Sequence, residues 1–229
     1  MKSFQGFESF VSLLRSGLAG WTPRLEQRLL EALLEQVASQ WQGGLLRGQS
    51  ADAAAWLQER HRGLARAFSD SLELALSQAL QPGSSGVAES TAFGDPGDEP
   101  ALSLMDESEV EEGIALVRIE RQIDQAGEWA LRELHALCAN LPGAPVMDTA
   151  TAYPLTPERC TEAYAGALTS LGTPKGVRAT LLRLSGPVLA GVLSQVYEEH
   201  LGPLRDSGVA PAPMRIRLAH GPSHGWSGN

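Results

Sequence analysis

Hydrophobic residues recur every three or four positions along most of this 229-residue chain, and no segment sustains the apolar-polar alternation of a strand. The pattern predicts three helices within residues 3–80. The first is short and ends at Gly17 and Gly20, the second follows the Thr22-Pro23 cap, and the third runs from near Ser50 to Pro82. Their apolar stripes are, in order, Phe4, Phe7, Val11, Leu14 and Leu18; Leu25, Leu29, Leu33, Val37 and Trp41; and Leu57, Leu64, Phe68, Leu72 and Leu76.

Three further helices are predicted after residue 100. A long helix starts at a cap formed by Asp106 or Ser108 and runs to about Asn140, where a Pro-Gly pair stops it. Another starts at the Thr156-Pro157 cap, and the last follows Pro174 and is expected to kink at Pro187. The last two carry the apolar stripes Cys160, Tyr164, Ala167, Leu168 and Leu171, and Val177, Leu181, Leu184, Val188, Val192 and Val196.

The net charge of −9 lies between the two groups of helices. Residues 81–115 hold nine acidic residues and no Lys or Arg, while acids and bases balance on either side. Residues 81–100 are also rich in Gly, Pro and Ser, a composition that cannot form a packed core. We therefore predict an all-α protein of two helical blocks: an N-terminal block (1–80), a disordered acidic linker (81–100), a C-terminal helical domain (101–205) and a flexible tail (206–229).

Composition excludes several classes of protein. The basic residues are thinly spread and the pI is near 5.1, so a nucleic-acid partner is not expected. Cys138 and Cys160 have no zinc-site spacing and are interpreted as small buried groups in a reducing compartment. Glu8 and Arg15 interrupt the start where a signal peptide would need an apolar core, and no apolar run is long enough to span a membrane. The expected location is the cytoplasm, with no cofactor and no metal.

No residue pattern specifies a reaction. His61, His135 and His200 each stand alone on a predicted helix, without the paired histidine of a helical zinc site, and are expected to be surface or half-buried residues. Adjacent carboxylates such as Glu198-Glu199 point about 100° apart on a helix, so they cannot act together on one bond. The leading interpretation is therefore a non-enzymatic protein, and an enzymatic helical domain stays open as an alternative.

Four residues are candidates for binding a partner. Phe4 and Phe7 could enter a partner groove or make a peripheral membrane contact through residues 4–14, although the alternative that they pack in the protein's own core is favoured. Trp129 lies on the long helix, opposite most of its leucine stripe, and Arg121 precedes it by two turns. Trp129 is the aromatic residue most expected to face a partner.

The second block resembles an uncharacterised bacterial family, described only as a domain of unknown function and sometimes mislabelled thymidine phosphorylase. The resemblance covers about residues 102–211 and rests on the segment LSLMDESEVEE at 102–112, the long helix ending at Gly143, the segment YPLTP at 153–157, Tyr197, and the segment GVAP at 208–211. It departs from the family at Tyr153, where Asn is usual. Because members continue for several hundred further residues, the chain resembles a short or truncated member, and the resemblance implies a bacterial cytosolic protein without an assigned reaction.

These observations lead to three hypotheses. The first is a non-enzymatic helical adaptor or regulatory scaffold that binds another protein. The second is a ligand-responsive or enzymatic helical domain, including a nucleotide-signalling one, with a groove between the long helix and the helix around Pro187. The third is a remnant of a longer family member.

Overall fold

The computed structural model describes residues 6–39, 47–80, 107–144 and 152–212. These residues form six α-helices and no strand, which confirms the all-α prediction. The predicted linker at 81–100 and the end of the predicted tail, from residue 213, lie outside the described residues. The helices are α1 (Phe7–Ser39), α2 (Arg47–Glu59), α3 (His61–Ala79), α4 (Glu107–Cys138), α5 (Pro157–Ser170) and α6 (Lys175–Asp206).

The first two predicted helices are one continuous helix, α1, with Pro23 in its interior. The predicted break at Gly17 and Gly20 is therefore wrong. The buried stripe passes through the proline without losing its phase, because Leu18, Trp21 and Leu25 are each 2–3% exposed. Continuous burial of this face outweighs the hydrogen bond that proline removes from a helix interior.

The predicted third helix is two helices, which separate at Arg60. Arg60 leaves helical geometry, with φ −116° and ψ 18°, and its carbonyl accepts a tight hydrogen bond of 2.7 Å from the Gly63 N–H. The break lets the two segments pack in different directions: α2 lies against α1 and α6, whereas α3 lies against α1 and α5.

The second group of helices follows the sequence prediction more closely. Thr156 caps α5, since its hydroxyl accepts a hydrogen bond of 3.3 Å from the Arg159 N–H. After α4 the chain turns at Gly143 with φ +76°, a backbone conformation that glycine adopts easily. α6 continues through Pro187, and the residues after it return to α4, where the Ala212 N–H donates to the Ala136 carbonyl at 2.8 Å.

Both predicted blocks contribute to one hydrophobic core. A chain of edge-to-face aromatic contacts links them, in which Trp21 of α1 meets Phe68 of α3 at 5.7 Å and Phe68 meets Tyr164 of α5 at 5.9 Å. The Phe7 N–H also donates to the Pro142 carbonyl at 2.9 Å, so the start of α1 is joined to the turn after α4. The described helices therefore pack as a single body.

By length and composition alone, α6 could cross a membrane, and it is the one helix among the described residues that could. Just over half of its most apolar window, 56%, is buried inside the protein. Its neighbours are α1, α2 and α4. Burial against three helices of the same chain is typical of a core helix, which passes the same test.

Candidate interaction surface

Trp129 is the most exposed large hydrophobic residue of the described chain, with 76% of its surface accessible. It stands on α4 beside the seam with α6, where two shallow grooves meet. One groove, of about 500 Å³, is lined by Ala126, Gly127, Trp129, Ala130, Ser194, Gln195, Glu198 and Glu199. The other, of about 280 Å³, is lined by Trp129, Ala130, Arg132, Glu133, Ala136, Glu198, Leu201, Arg205 and Pro211. Trp129 and these two grooves are called the Trp129 surface below.

The seam beneath the Trp129 surface is set by a glycine packed on a tyrosine ring. A Cβ atom added to Gly127 would lie 2.7 Å from Cδ2 and 2.9 Å from Cε2 of Tyr197, which is closer than real Cβ contacts. Tyr197 in turn meets Tyr153 edge-to-face at 5.8 Å. Only a glycine at this position lets α4 and α6 approach so closely.

Tyr153 is the centre of a buried polar hub behind this seam. It is fully buried and belongs to the segment that leads into α5. Its backbone N–H donates to Nδ1 of His135 on α4 at 3.0 Å, and its hydroxyl pairs with Nδ1 of His200 on α6 at 2.8 Å. One tyrosine therefore fixes α4, α6 and the connection to α5 to one another.

The histidines of the hub are neutral at physiological pH. Burial lowers the pKa of His135 to about 4. Burial also lowers the pKa of His200 to about 4, with a smaller opposing effect from the Glu199 carboxylate. Because Nδ1 of His135 accepts a hydrogen bond, its proton is assigned to Nε2, and protonation of Nδ1 would break the bond to Tyr153.

Two thiols complete the surroundings of the hub. Cys138 and Cys160 are buried and free, as predicted from their spacing. Burial raises the pKa of Cys160 to about 12, and it raises the pKa values of Cys138 and Tyr153 as well. A protonated thiol is a poor nucleophile, and no group of three His, Cys, Asp or Glu that could hold a metal ion occurs in the described part of the chain. We interpret the hub as a structural junction.

Charged side chains surround Trp129. The Arg132 guanidinium lies 5.2 Å from the centre of the Trp129 ring and also pairs with Glu128 at 2.8 Å. Across the smaller groove, Nε and Nη2 of Arg205 donate to the two carboxylate oxygens of Glu133 at 2.7 and 2.6 Å, and this contact lowers the pKa of Glu133. The rim of the surface is thus polar around an apolar centre.

The predicted partner-binding residues do not form one cluster. Phe4 lies outside the described residues. Phe7 is 2% exposed and belongs to the core, which agrees with the favoured prediction that it packs inside the protein. Arg121 is exposed on α4, as is Trp129, but eight residues of helix separate them by about 12 Å and about 80° around the axis. Trp129 alone belongs to the surface described above.

A groove does lie beside Pro187, but its other wall is α1 and not the long helix. It has a volume of about 580 Å³ and includes Arg24, Glu31 and Glu35 of α1. Next to Pro187, α6 lies close to the long helix, because a Cβ atom on Gly186 would overlap the Gln122 side chain. The grooves between the long helix and α6 lie further along α6, at the Trp129 surface, and not at Pro187 itself.

A larger and more apolar groove, of about 630 Å³, lies between α1, α2 and α3. Glu26 is buried in its wall with 6% of its surface exposed, and its carboxylate accepts a hydrogen bond of 2.9 Å from the Ala65 N–H. The other lining residues are Ala19, Thr22, Pro23, Gln27, Leu30, Leu57, Gln58, Arg66, Ser69 and Asp70.

Sequence reasoning missed the meeting of His135 and His200 at Tyr153. These residues lie 18 and 47 positions from Tyr153, and neither spacing has a meaning within one helix. The expectation of a surface or half-buried position is correct for His135 and wrong for His200, which is 6% exposed. The side chain of His61 lies outside the described residues.

The chain belongs to a family of unknown function. Residues 7–201 match the family model described as "Protein of unknown function (DUF1631) N-terminal domain". The inferred resemblance to an uncharacterised family is thus confirmed over residues 102–201, and the match also includes the first three helices. No curated protein and no solved structure matches the chain.

Proposed function

We propose that this member of the DUF1631 family is a non-enzymatic helical module of the cytoplasm, which acts as an adaptor or regulatory scaffold by binding another protein. The observation that carries the proposal is the exposure of Trp129, 76%, between two grooves on a rigid helix seam. Tryptophan and arginine are enriched among the residues that dominate binding energy in protein interfaces. Here an arginine, Arg132, lies against the tryptophan ring.

The seam supports this use of Trp129. A binding residue is effective when its supporting elements are fixed, since less conformational entropy is then lost on binding. The hub at Tyr153 and the contact of Gly127 with Tyr197 hold α4 and α6 together below Trp129. The surface therefore needs little rearrangement to accept a partner.

The charges favour one kind of partner. Glu198 lines both grooves, and Glu199 and Glu128 lie on the same rim. Glu128 and Glu199 have arginine partners at 2.8 and 3.2 Å, whereas no ion pair of Glu198 occurs among the described residues. We expect an amphipathic helix that places an apolar side chain beside Trp129 and a lysine or arginine against Glu198.

Site-specific photo-crosslinking in cells tests the proposal. The photoreactive residue p-benzoylphenylalanine replaces Trp129 in one variant and Leu74, which is 61% exposed on α3, in a control variant. We expect a discrete protein adduct from position 129 that is absent from position 74. The same adduct should weaken when Glu198→Arg is added.

The recovered partner is then purified and titrated against the wild type and Trp129→Ala. A hot-spot tryptophan predicts that the substitution weakens binding at least tenfold. Equal adducts at positions 129 and 74, or equal affinity of the wild type and Trp129→Ala, would contradict the proposal.

The groove between α1, α2 and α3 supports a second candidate function, binding of a small ligand. Its volume of about 630 Å³ falls within the usual range for ligand pockets, and its lining favours an apolar molecule over a phosphorylated one. A ligand that binds the folded state raises the melting temperature. An apolar metabolite that stabilises the wild type but not Ser69→Trp, which fills the groove, would favour this function over the adaptor role.

A further inference from the structure

The outer face of α4 carries an apolar stripe that none of the described helices covers. Val110, Ile114 and Val117 are 44%, 64% and 61% exposed. Their spacing of four and three places them within about 60° of one another around the helix. Ile119, which is 2% exposed, lies about 180° from Val110, so this stripe faces directly away from the core.

Two opposite charges flank this stripe on one side. Glu111 and Arg118 are seven residues apart, so they lie on the same flank of the helix, about two turns from each other. Both are exposed, and neither makes an ion pair among the described residues. Arg121 continues the apolar stripe by one further turn, with an aliphatic stem that can cover apolar surface.

We propose that this face of α4 pairs with the same face of a second copy, with the two helices antiparallel. In such a pair, Ile114 of each copy packs on Val117 of the other, and Val110 meets the stem of the other copy's Arg121. In this register Glu111 of each copy lies only about 3 Å along the helix axis from Arg118 of the other, on the same side of the pair, so the long side chains can form two equivalent ion pairs about a two-fold axis.

The positions of Glu111 and Arg118 along α4 favour an antiparallel pair, and they favour a second copy of this chain as the binding partner. In a parallel pair, the flank that carries Glu111 and Arg118 would face the opposite flank of the other copy, so these residues of the two copies would not meet. In the antiparallel pair both contacts are attractive. A face that carries an apolar stripe and complements its own charge pattern is what a two-fold symmetric contact requires.

The contact is short. Val110 to Arg121 is 12 residues, or about 18 Å of helix, so the buried area falls in the small class of interfaces, below about 1,200 Å². We therefore expect a reversible dimer that appears as the protein concentration rises. This contact does not include Trp129, so the dimer is independent of the proposed partner surface.

Sedimentation equilibrium of the full chain over a concentration series tests the pairing. Glu111→Arg and Arg118→Glu should each weaken self-association by about three- to tenfold, because each converts two attractions into two repulsions. An equimolar mixture of the two variants should associate at least as tightly as the wild type, since each substituted side chain would then face a side chain of opposite charge on the other variant. Glu73→Arg, an equal charge change on the exposed face of α3, should leave association unchanged.

The mixture makes the test specific, because a misfolded variant could not be rescued by another variant. Ile114→Asp should abolish association, whereas Leu74→Asp, at a residue of similar exposure on α3, should not. If the protein is a monomer at every concentration, the proposal is wrong. This result is expected if another segment of the same chain covers the stripe. A dimer that ignores both charge substitutions, or a mixture that fails to restore association, would also overturn it.

Discussion

Acid should destabilise this protein through His135 and His200. Burial lowers both pKa values to about 4, whereas histidine in an unfolded chain has a pKa of about 6.5. The unfolded chain therefore takes up protons first as the pH falls. The contribution of the neutral histidines to stability is fully present above about pH 6.5, decreases as the pH falls, and decreases no further below about pH 4.

The size of the effect follows from these two pKa values. Between pH 7 and pH 5, each histidine should lower the free energy of unfolding by about 2 kcal/mol. The two contributions should nearly add, because between pH 7 and pH 5 the unfolded chain takes up the protons while both histidines of the folded state stay mostly neutral.

Urea unfolding followed by circular dichroism at several pH values measures this dependence. The comparison is with His135→Asn and His200→Asn, in which an amide group takes the approximate place of Nδ1 but does not titrate. Both variants should start from a lower stability at pH 7 and lose less of it by pH 5 than the wild type does. Parallel pH profiles for the wild type and both variants would refute the assignment of buried, neutral histidines, since the carboxylates common to all three proteins would then account for the whole acid effect.

Three further predictions concern packing. Gly127→Ala should lower the free energy of unfolding by about 1–3 kcal/mol, because the added Cβ would overlap the Tyr197 ring. Gly20→Ala should raise the free energy of unfolding by up to about 1 kcal/mol, because no atom lies within 4 Å of the added Cβ and alanine favours a helix more than glycine does. Urea unfolding of the two variants checks both signs. Pro23→Ala should raise the melting temperature, because alanine restores an N–H to the interior of α1, and a lower value would mean that the helix has adapted to its proline. Arg178→Met should destabilise the protein more than Arg205→Met. The Arg178 side chain is 16% exposed in its ion pair with Glu112, whereas the Arg205 side chain is 54% exposed in its ion pair with Glu133. Equal decreases in the free energy of unfolding, measured with urea, would contradict this prediction.

The helices after residue 106 could be predicted closely because their boundaries are set by local chemistry. Thr156 with Pro157 starts α5, and Gly172, at φ +60°, follows its end, as the sequence indicates. These signals act within a few residues and do not depend on the rest of the fold. The same is true of the turn at Gly143.

The errors in the first block arose where packing opposed local preference. Gly17, Gly20 and Pro23 all favour a break, yet the buried stripe from Leu14 to Leu25 steps by four, three and four without interruption. The unbroken phase of this stripe was the signal that could have predicted one helix. The separation of α2 from α3 at Arg60 has no comparable signal, because the apolar positions on either side, Leu57 and Leu64, are also one heptad apart.

The candidate surface could be predicted in part, and the reason lies in what a sequence shows about α4. Trp129 could be identified because it falls off the main leucine stripe of its helix. Whether a residue off the stripe is exposed depends on the number of helices packed around it, and this number is fixed by contacts distant in sequence, such as that of Gly127 with Tyr197. The hub at Tyr153 depends entirely on such contacts.

This dependence connects the stability of the seam to its proposed function. The two grooves beside Trp129 exist only while α4 and α6 remain side by side, and the buried connection between them runs from Gly127 through Tyr197 and Tyr153 to the two histidines. Acid that protonates His135 or His200 should therefore weaken partner binding at the Trp129 surface as well as global stability. The outer stripe at Val110, Ile114 and Val117 lies on α4 alone, so its proposed pairing, together with the Glu111–Arg118 contacts, does not depend on how α4 and α6 meet. Self-association through that stripe should thus persist to lower pH than partner binding. If partner binding is lost first as the pH falls, the partner surface depends on the contact between two helices, whereas the self-association surface depends on one helix.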